Sequence, residues 1–203
     1  MKFCFSLEKI IEHNLTEFAF AIKGKVLELG PYQGSKTKYL CRNKKLDIIG
    51  LDNDIKNEKY AQGYKFVLGD ARNIPFQDEV FDAVVSFDVI EHIDQDEKML
   101  GECFRVLRTG GFFCIGTPNR ERLFNKIRKI LGHQVSYPYK IDENTIHLRE
   151  YTMDELKNLV LKSGFDIIKK EDMWLGLVGF GGFDKLPAFF KKYAHYLMIF
   201  AKK

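Results

Sequence analysis

The stretch Lys25-Val-Leu-Glu28-Leu-Gly30-Pro-Tyr32-Gln-Gly34 decides how this chain is read. A short apolar run of strand length ends at two glycines, the pattern of a strand that enters a tight backbone turn before a helix. The glycines are spaced Gly-x-x-x-Gly, with an acid two residues before the first. A dinucleotide-binding loop needs Gly-x-Gly-x-x-Gly so that backbone amides can approach a pyrophosphate, and Tyr32 and Gln33 interrupt that fingerprint. A neutral loop with a carboxylate beside it suits a phosphate-free ligand that carries an ammonium group. A nicotinamide oxidoreductase is therefore set aside.

Outward from this turn, residues 47–51, 65–68, 82–87 and 112–116 repeat the strand pattern of residues 25–30, each followed by a turn or an amphipathic stretch. Such alternation predicts an α/β fold, a largely parallel sheet with helices on both faces. Asp94 with Glu97 and Thr152 with Glu155 have the spacing of capping boxes that open helices, and Gly110-Gly111 and Gly164 are placed to stop them. Residues 165–170 and 196–201 read as two more strands with no long helix between them, which predicts an antiparallel pair closing the sheet.

Composition narrows the class. With 203 residues, 45% of them hydrophobic and 30% charged, the chain can bury one core, so cofactor and acceptor are expected to share one domain over residues 1–203. A net charge of +4 with scattered Lys and Arg does not call for a nucleic-acid partner. No apolar run approaches the roughly 20 residues of a membrane span, and the first residues lack a signal-peptide core, so a cytoplasmic location is expected. Cys4, Cys41, Cys103 and Cys114 have no Cys-x-x-Cys spacing and read as reduced packing residues. The oligomeric state is not set by anything in the sequence.

Two further acids follow successive strands. Asp52 ends the second strand, where a carboxylate can accept both ribose hydroxyl protons, and Asp70, before Ala71, ends the third, where one can accept from an adenine amino group. Three acids after three successive strand ends are poorly explained as turn or capping residues alone.

Val26-Leu-Glu-Leu-Gly30, the Asp52 and Asp70 positions, Phe81-Asp-Ala-Val-Val-Ser-Phe-Asp-Val-Ile-Glu-His92 and Phe104-Arg-Val-Leu-Arg-Thr-Gly-Gly111 together resemble the successive motifs of class I S-adenosylmethionine-dependent methyltransferases of the small-molecule, ubiquinone-type branch. The resemblance covers about residues 20–170. It implies a Rossmann-like seven-stranded sheet of order 3-2-1-4-5-7-6 with strand 7 antiparallel, and S-adenosyl-L-methionine as cofactor. It further implies that Gly30 and Gly34 line the methionine moiety, Glu28 supports its ammonium, Asp52 holds the ribose, and Asp70 with Ala71 holds the adenine, with Ser86 also at the cofactor. Two departures stand out: Tyr32 replaces a third glycine, and Thr109 replaces a proline.

The acceptor side is expected at the ends of strands four and five, near Ser86, Phe87, Asp88, Thr117 and Asn119. Asp88, Glu91 and His92 lie at i, i+3 and i+4, so a helical turn would place them on one face, and His147 can approach the same pocket. Two carboxylates and two imidazoles suit a divalent cation. Asp88 with Glu91 also has the spacing of a capping pair, however, and the reading adopted assigns no metal. It makes His92 or His147 a general base, with Asp88 as the third catalytic candidate.

Residues 119–148 sit where relatives carry a lid, and residues 120–131 read as a basic amphipathic helix. With the aromatics of residues 174–190, this favours a small, partly hydrophobic acceptor, methylated on oxygen or nitrogen. A lipid-like acceptor or a peripheral membrane contact is the second reading. A cofactor-binding scaffold or activator of a partner enzyme remains the alternative from a different class.

Overall fold

The computed structural model describes residues 3–4, 6–133, 135–140, 146–177, 181–183 and 186–203. Seven strands form the main sheet: β1 (Gly24–Leu29), β2 (Leu46–Asp52), β3 (Lys65–Leu68), β4 (Phe81–Phe87), β5 (Leu107–Pro118), β6 (Asp166–Met173) and β7 (Tyr196–Lys202). Their order is 3-2-1-4-5-7-6, with β7 antiparallel to both neighbours and the rest of the ladder parallel. The predicted strand order and the antiparallel end pair are both present.

Alternation along the strands divides the core into two layers. Leu27, Leu29, Val84, Phe113 and Ile115 pack under helices α3 (Asp96–Val106) and α5 (Met153–Lys162), while Val26, Ile48, Ala83, Val85 and Cys114 pack under α1 (Leu7–Ala21). α1 buries Ile11, Leu15, Phe18 and Ala19, one face of a 3.6-residue period that the sequence reading did not single out. α2 (Thr37–Leu40) follows the turn after β1, and α6 (Ala188–Lys191) precedes β7. Cys103 and Cys114 are buried thiols in these layers.

Local signals fared unevenly. The Thr152–Glu155 capping box is complete: the Glu155 amide donates to Thr152 Oγ1 (3.3 Å) and the Thr152 amide to Glu155 Oε2 (2.9 Å). The expected Asp94–Glu97 box is not formed. α3 starts after Gln95, because Asp94 Oδ1 accepts from Arg72 Nη1 (2.7 Å) and Asp96 Oδ2 accepts from Arg149 Nη1 (2.7 Å) and the Tyr151 hydroxyl (2.8 Å). Gly110-Gly111 do not stop α3 either. That helix ends at Val106, and the glycines lie inside β5, which begins at buried Leu107 and pairs with β7 from Phe112 onward, Gly110 and Gly111 being bonded to Lys203 (2.9 and 3.1 Å).

The expected lid contains α4 (Leu123–Ile130) and a two-stranded ribbon of Tyr139–Lys140 with Ile146–His147, while residues 134 and 141–145 of it lie outside the described residues. The glycine-rich stretch at 176–182 is described except at 178–180. α4 is shorter than residues 120–131, and much of its apolar side is uncovered, with Phe124, Ile130 and Leu131 at 48%, 83% and 68% exposure while Leu123 and Ile127 are half-buried. Among the described residues no helix is long and apolar enough to cross a membrane.

Two measurements test this packing. Phe165 stacks on Phe113 (4.4 Å between ring centroids) and meets Phe104 edge-on (5.2 Å), so Phe165→Ala should cost about 3–5 kcal/mol in urea unfolding. A loss under about 1 kcal/mol would contradict this core. In hydrogen exchange the amides of α4, held by few buried contacts, should exchange well before those of β4. Equal protection would contradict the reading of α4 as a loosely held cover.

Candidate functional site

The carboxyl ends of β1, β2 and β4 meet at the turn that follows β1. Gly30 has φ +60°, its amide donates to the Leu51 carbonyl (2.8 Å), and an added Cβ would stand 2.5 Å from Val89 Cγ2. Only glycine satisfies both the left-handed backbone and that approach. Tyr32 also has positive φ (+49°), which accounts for the glycine of relatives at this position, yet its side chain points outward and is exposed. It does not narrow the pocket. Its amide instead donates to Asp52 Oδ2 (3.1 Å), and Asp52 Oδ1 accepts from the Asp54 amide (3.0 Å) and Asn57 Nδ2 (3.1 Å). Asp52 is thus fixed, nearly buried, at the end of β2, where the sequence places a ribose ligand.

Glu28 is buried, and burial pushes its carboxyl up to about 7. Glu28 Oε2, Thr37 Oγ1 and Ser86 Oγ are buried with no hydrogen-bond partner among the described residues. An orphaned buried polar atom costs about 1–3 kcal/mol, so these atoms fit a ligand that carries an ammonium and further polar groups. Gly34, φ +70°, closes the turn by donating to the Pro31 carbonyl (2.8 Å). Asp70 ends β3 as expected, but Arg72 engages both its oxygens (Nη2 to Oδ2, 2.6 Å; Nε to Oδ1, 3.0 Å), and that guanidinium holds the carboxyl below its ordinary range. Ala71 packs against the edge of the core.

On the acceptor side the expected helical turn is only the short 3-10 turn Ile90–His92, and Asp88, at φ +53°, precedes it. Asp88 is therefore no capping residue for Glu91; its carboxylate pairs with the Lys36 ammonium across the mouth of β1 and β4. Glu91 is fully buried. Burial and the nearby Asp88 charge push its carboxyl well above the usual range, one oxygen accepts from Thr117 Oγ1 (2.9 Å), and Oε1 has no partner among the described residues. Of the other expected acceptor contacts, Thr117 is thus spent on Glu91. Asn119 is a structural residue, donating to the Lys192 (3.0 Å) and Ala194 (2.7 Å) carbonyls.

His147, on the ribbon, reaches the same place: its ring centroid lies 4.8 Å from that of His92, the rings at 70°. Nδ1 of His92 bonds the Ile146 carbonyl (2.6 Å), and Nδ1 of His147 bonds Glu150 Oε1 (3.1 Å) and the Tyr139 hydroxyl (3.1 Å). Burial lowers the pKa of His92. Glu150 was not singled out in the sequence, although it follows His147 by three residues. It is buried, and while burial alone would raise its carboxyl, His147, Arg122 and Tyr139 together hold it down to about 2. Tyr137 and Tyr139 also donate to it (2.8 and 2.6 Å). Lys36, Arg122 and Tyr139 carry no signal in the linear sequence, because their partners are distant in the chain.

Known proteins resemble this chain in sequence and in fold. A family model described as a methyltransferase domain matches residues 27–115. The chain is 30% identical over 168 residues to the mitochondrial 2-methoxy-6-polyprenyl-1,4-benzoquinol methylase of Bos taurus (71% of this chain, 47% of that protein). It is 29% identical over 161 residues to a demethylmenaquinone methyltransferase of Thermotoga maritima (70% of each). It spans about half the length of the first of these and of several other curated relatives it matches. Its fold matches the crystal structure of an S-adenosylmethionine-dependent methyltransferase from Mesorhizobium loti with a TM-score of 0.71 at 16% identity, covering 98% of this chain and all of that one. Residues 27–115 of this chain thus match the methyltransferase domain family.

Proposed function

We propose that this chain transfers the methyl group of S-adenosylmethionine to an oxygen or nitrogen of a small, partly hydrophobic acceptor. The observation that carries this reading is the buried, orphaned carboxylate oxygen of Glu28 beside the Gly30–Gly34 turn. A carboxylate in that position is compensated by a ligand ammonium, and Asp52 stands where ribose hydroxyls can donate to it. In this reading Gly30 and Gly34 bound the methionine portion, Asp70 and Ala71 lie at the adenine end, and Ser86 faces the ligand between them.

The bound cofactor supplies an electrophilic methyl on a sulfonium, so the protein has to align the acceptor, exclude water and take up a proton. His92 and His147, each fixed through Nδ1, are the groups that hold the acceptor and receive that proton, and Asp88 adds negative charge beside them. The relatives named for benzoquinol and demethylmenaquinone methylation support a quinol-like aromatic acceptor. So does the largely uncovered apolar side of α4, with exposed Phe189 and Phe190 of α6 near the same end. The same basic and apolar surface, with Lys126, Arg128, Lys129, Lys191 and Lys192, suits delivery of such an acceptor from a membrane surface.

Two experiments test the cofactor site. Asp52→Ala should weaken S-adenosylhomocysteine binding in calorimetry by about 1.5–3 kcal/mol, and unchanged affinity would remove Asp52 from the site. For Glu28, the native carboxyl titrates near 7 against 4.5 unfolded, so the native state binds the proton more tightly between those values. Its contribution therefore makes stability fall as pH rises through that window, by an amount on the order of 3 kcal/mol. Glu28→Gln should then raise the ligand-free melting temperature at pH 8, change it little at pH 4.5, and weaken S-adenosylhomocysteine binding. A variant that melts lower at pH 8 and binds normally would overturn the assignment.

A further inference from the structure

We propose that Glu91, His92 and His147 bind one divalent transition-metal cation on the acceptor side of the site. This rests on reading this end of the site as the acceptor side; with a cation bound, His92 and His147 are its ligands in place of the proton acceptors named above, and the sequence expectation of no metal is reversed. One donor atom from each of the three residues lies within 4.8 Å of the other two. Bonds of about 2.0–2.1 Å to nitrogen or oxygen bring donor atoms on opposite sides of a cation to about 4.2 Å. Neighbouring ligands of a tetrahedral cation stand closer, about 3.4 Å apart, so donor atoms now within 4.8 Å of one another have to close by roughly 0.6–1.4 Å on binding, through rotation of the half-buried His92 ring and small shifts of its neighbours.

Three independent features point to a ligand there. Glu91 Oε1 is fully buried with no hydrogen-bond partner among the described residues, while its other oxygen is held by Thr117. Each imidazole has its Nδ1 edge occupied by an outer acceptor, the Ile146 carbonyl for His92 and the Glu150 carboxylate for His147. That leaves Nε2 of each ring with its lone pair, the arrangement in which an outer carboxylate or carbonyl orients a metal-ligating histidine. The frame is also braced: the Leu148 amide donates to the Glu91 carbonyl (2.8 Å), and Tyr139 pairs with His147 across the ribbon. Asp88, the fourth candidate from the sequence, is held by Lys36 and is not part of the cluster.

Two imidazoles and one carboxylate suit Zn²⁺, Fe²⁺, Co²⁺ or Mn²⁺, whereas Mg²⁺ and Ca²⁺ favour all-oxygen sites. Three protein ligands leave open positions for acceptor oxygens. A hydroxyl bound there loses its proton to water at lower pH than in solution. Its oxygen then forms the bond to the methyl carbon with a lone pair, and the carbon–sulfur bond breaks with its pair going to sulfur.

The test uses the whole chain, stripped with a chelator and titrated with Co²⁺, read by calorimetry and by visible absorption. One equivalent should bind per chain with the absorption bands of nitrogen and oxygen ligation. His92→Ala, His147→Ala and Glu91→Gln should each weaken binding at least about tenfold. S-adenosylhomocysteine binding reports that each variant is folded. The proposal is overturned if the wild-type chain shows no saturable one-to-one binding, or if folded variants bind Co²⁺ as tightly as wild type. Failure of S-adenosylhomocysteine to bind a chain that still takes up one Co²⁺ would sink the methyl-transfer reading and leave this site standing.

Discussion

The close approach at Gly30 is the constraint on which the rest of the site depends. One residue without a Cβ lets the chain leave β1 in a left-handed conformation, donate to Leu51 at the end of β2, and pass against Val89 beyond β4. The end of β1 is thereby fixed to both neighbouring strands at once. Glu28 is buried just before this turn, and the Tyr32 amide just after it fixes Asp52. A bulkier residue would have to move Val89, and with it the turn that carries Glu91 and His92.

Two kinds of buried carboxylate occupy the site, and the contrast between them separates ligand-facing groups from structural ones. Glu150 accepts from Arg122, His147, Tyr137 and Tyr139, so its charge is met and its carboxyl stays ionised. Glu28 and Glu91 each keep an oxygen without a partner among the described residues, and burial drives both toward the protonated form. Burying a carboxylate without full compensation lowers stability, a cost typical of functional sites. The compensated Glu150 orients His147; the two uncompensated acids are the ones proposed to bind an ammonium and a cation.

The surface above the acceptor side follows another logic. α4 keeps its basic residues and much of its apolar side in solvent, and the Leu123 amide donates to the Tyr193 carbonyl beside α6. An amphipathic helix stabilised mainly by its ends has little buried area to lose on moving. It can serve as a cover for an apolar acceptor because the main sheet does not rely on it for its core.

How much of this was legible in the chain depends on distance along it. The parallel sheet, its antiparallel last pair, the turn at Gly30–Gly34, the acids at the ends of β1 to β3 and the Thr152–Glu155 cap all rest on local periodicity and spacing, which residue order determines by itself. Where local signals were overridden, distant partners did it: Arg72 drew Asp94 out of a capping role, and backbone bonds with Lys203, just past β7, hold Gly110 and Gly111 in the strand. The same holds at the site. Asp88, Glu91 and His92 suggested one polar face, but Lys36 removes Asp88, while His147, brought in by the ribbon with Glu150 behind it, completes the cluster. Spacing names residues that share a turn; only the folded chain decides which charges and lone pairs face one another, because those contacts form between segments whose separation in sequence carries no information about their separation in space.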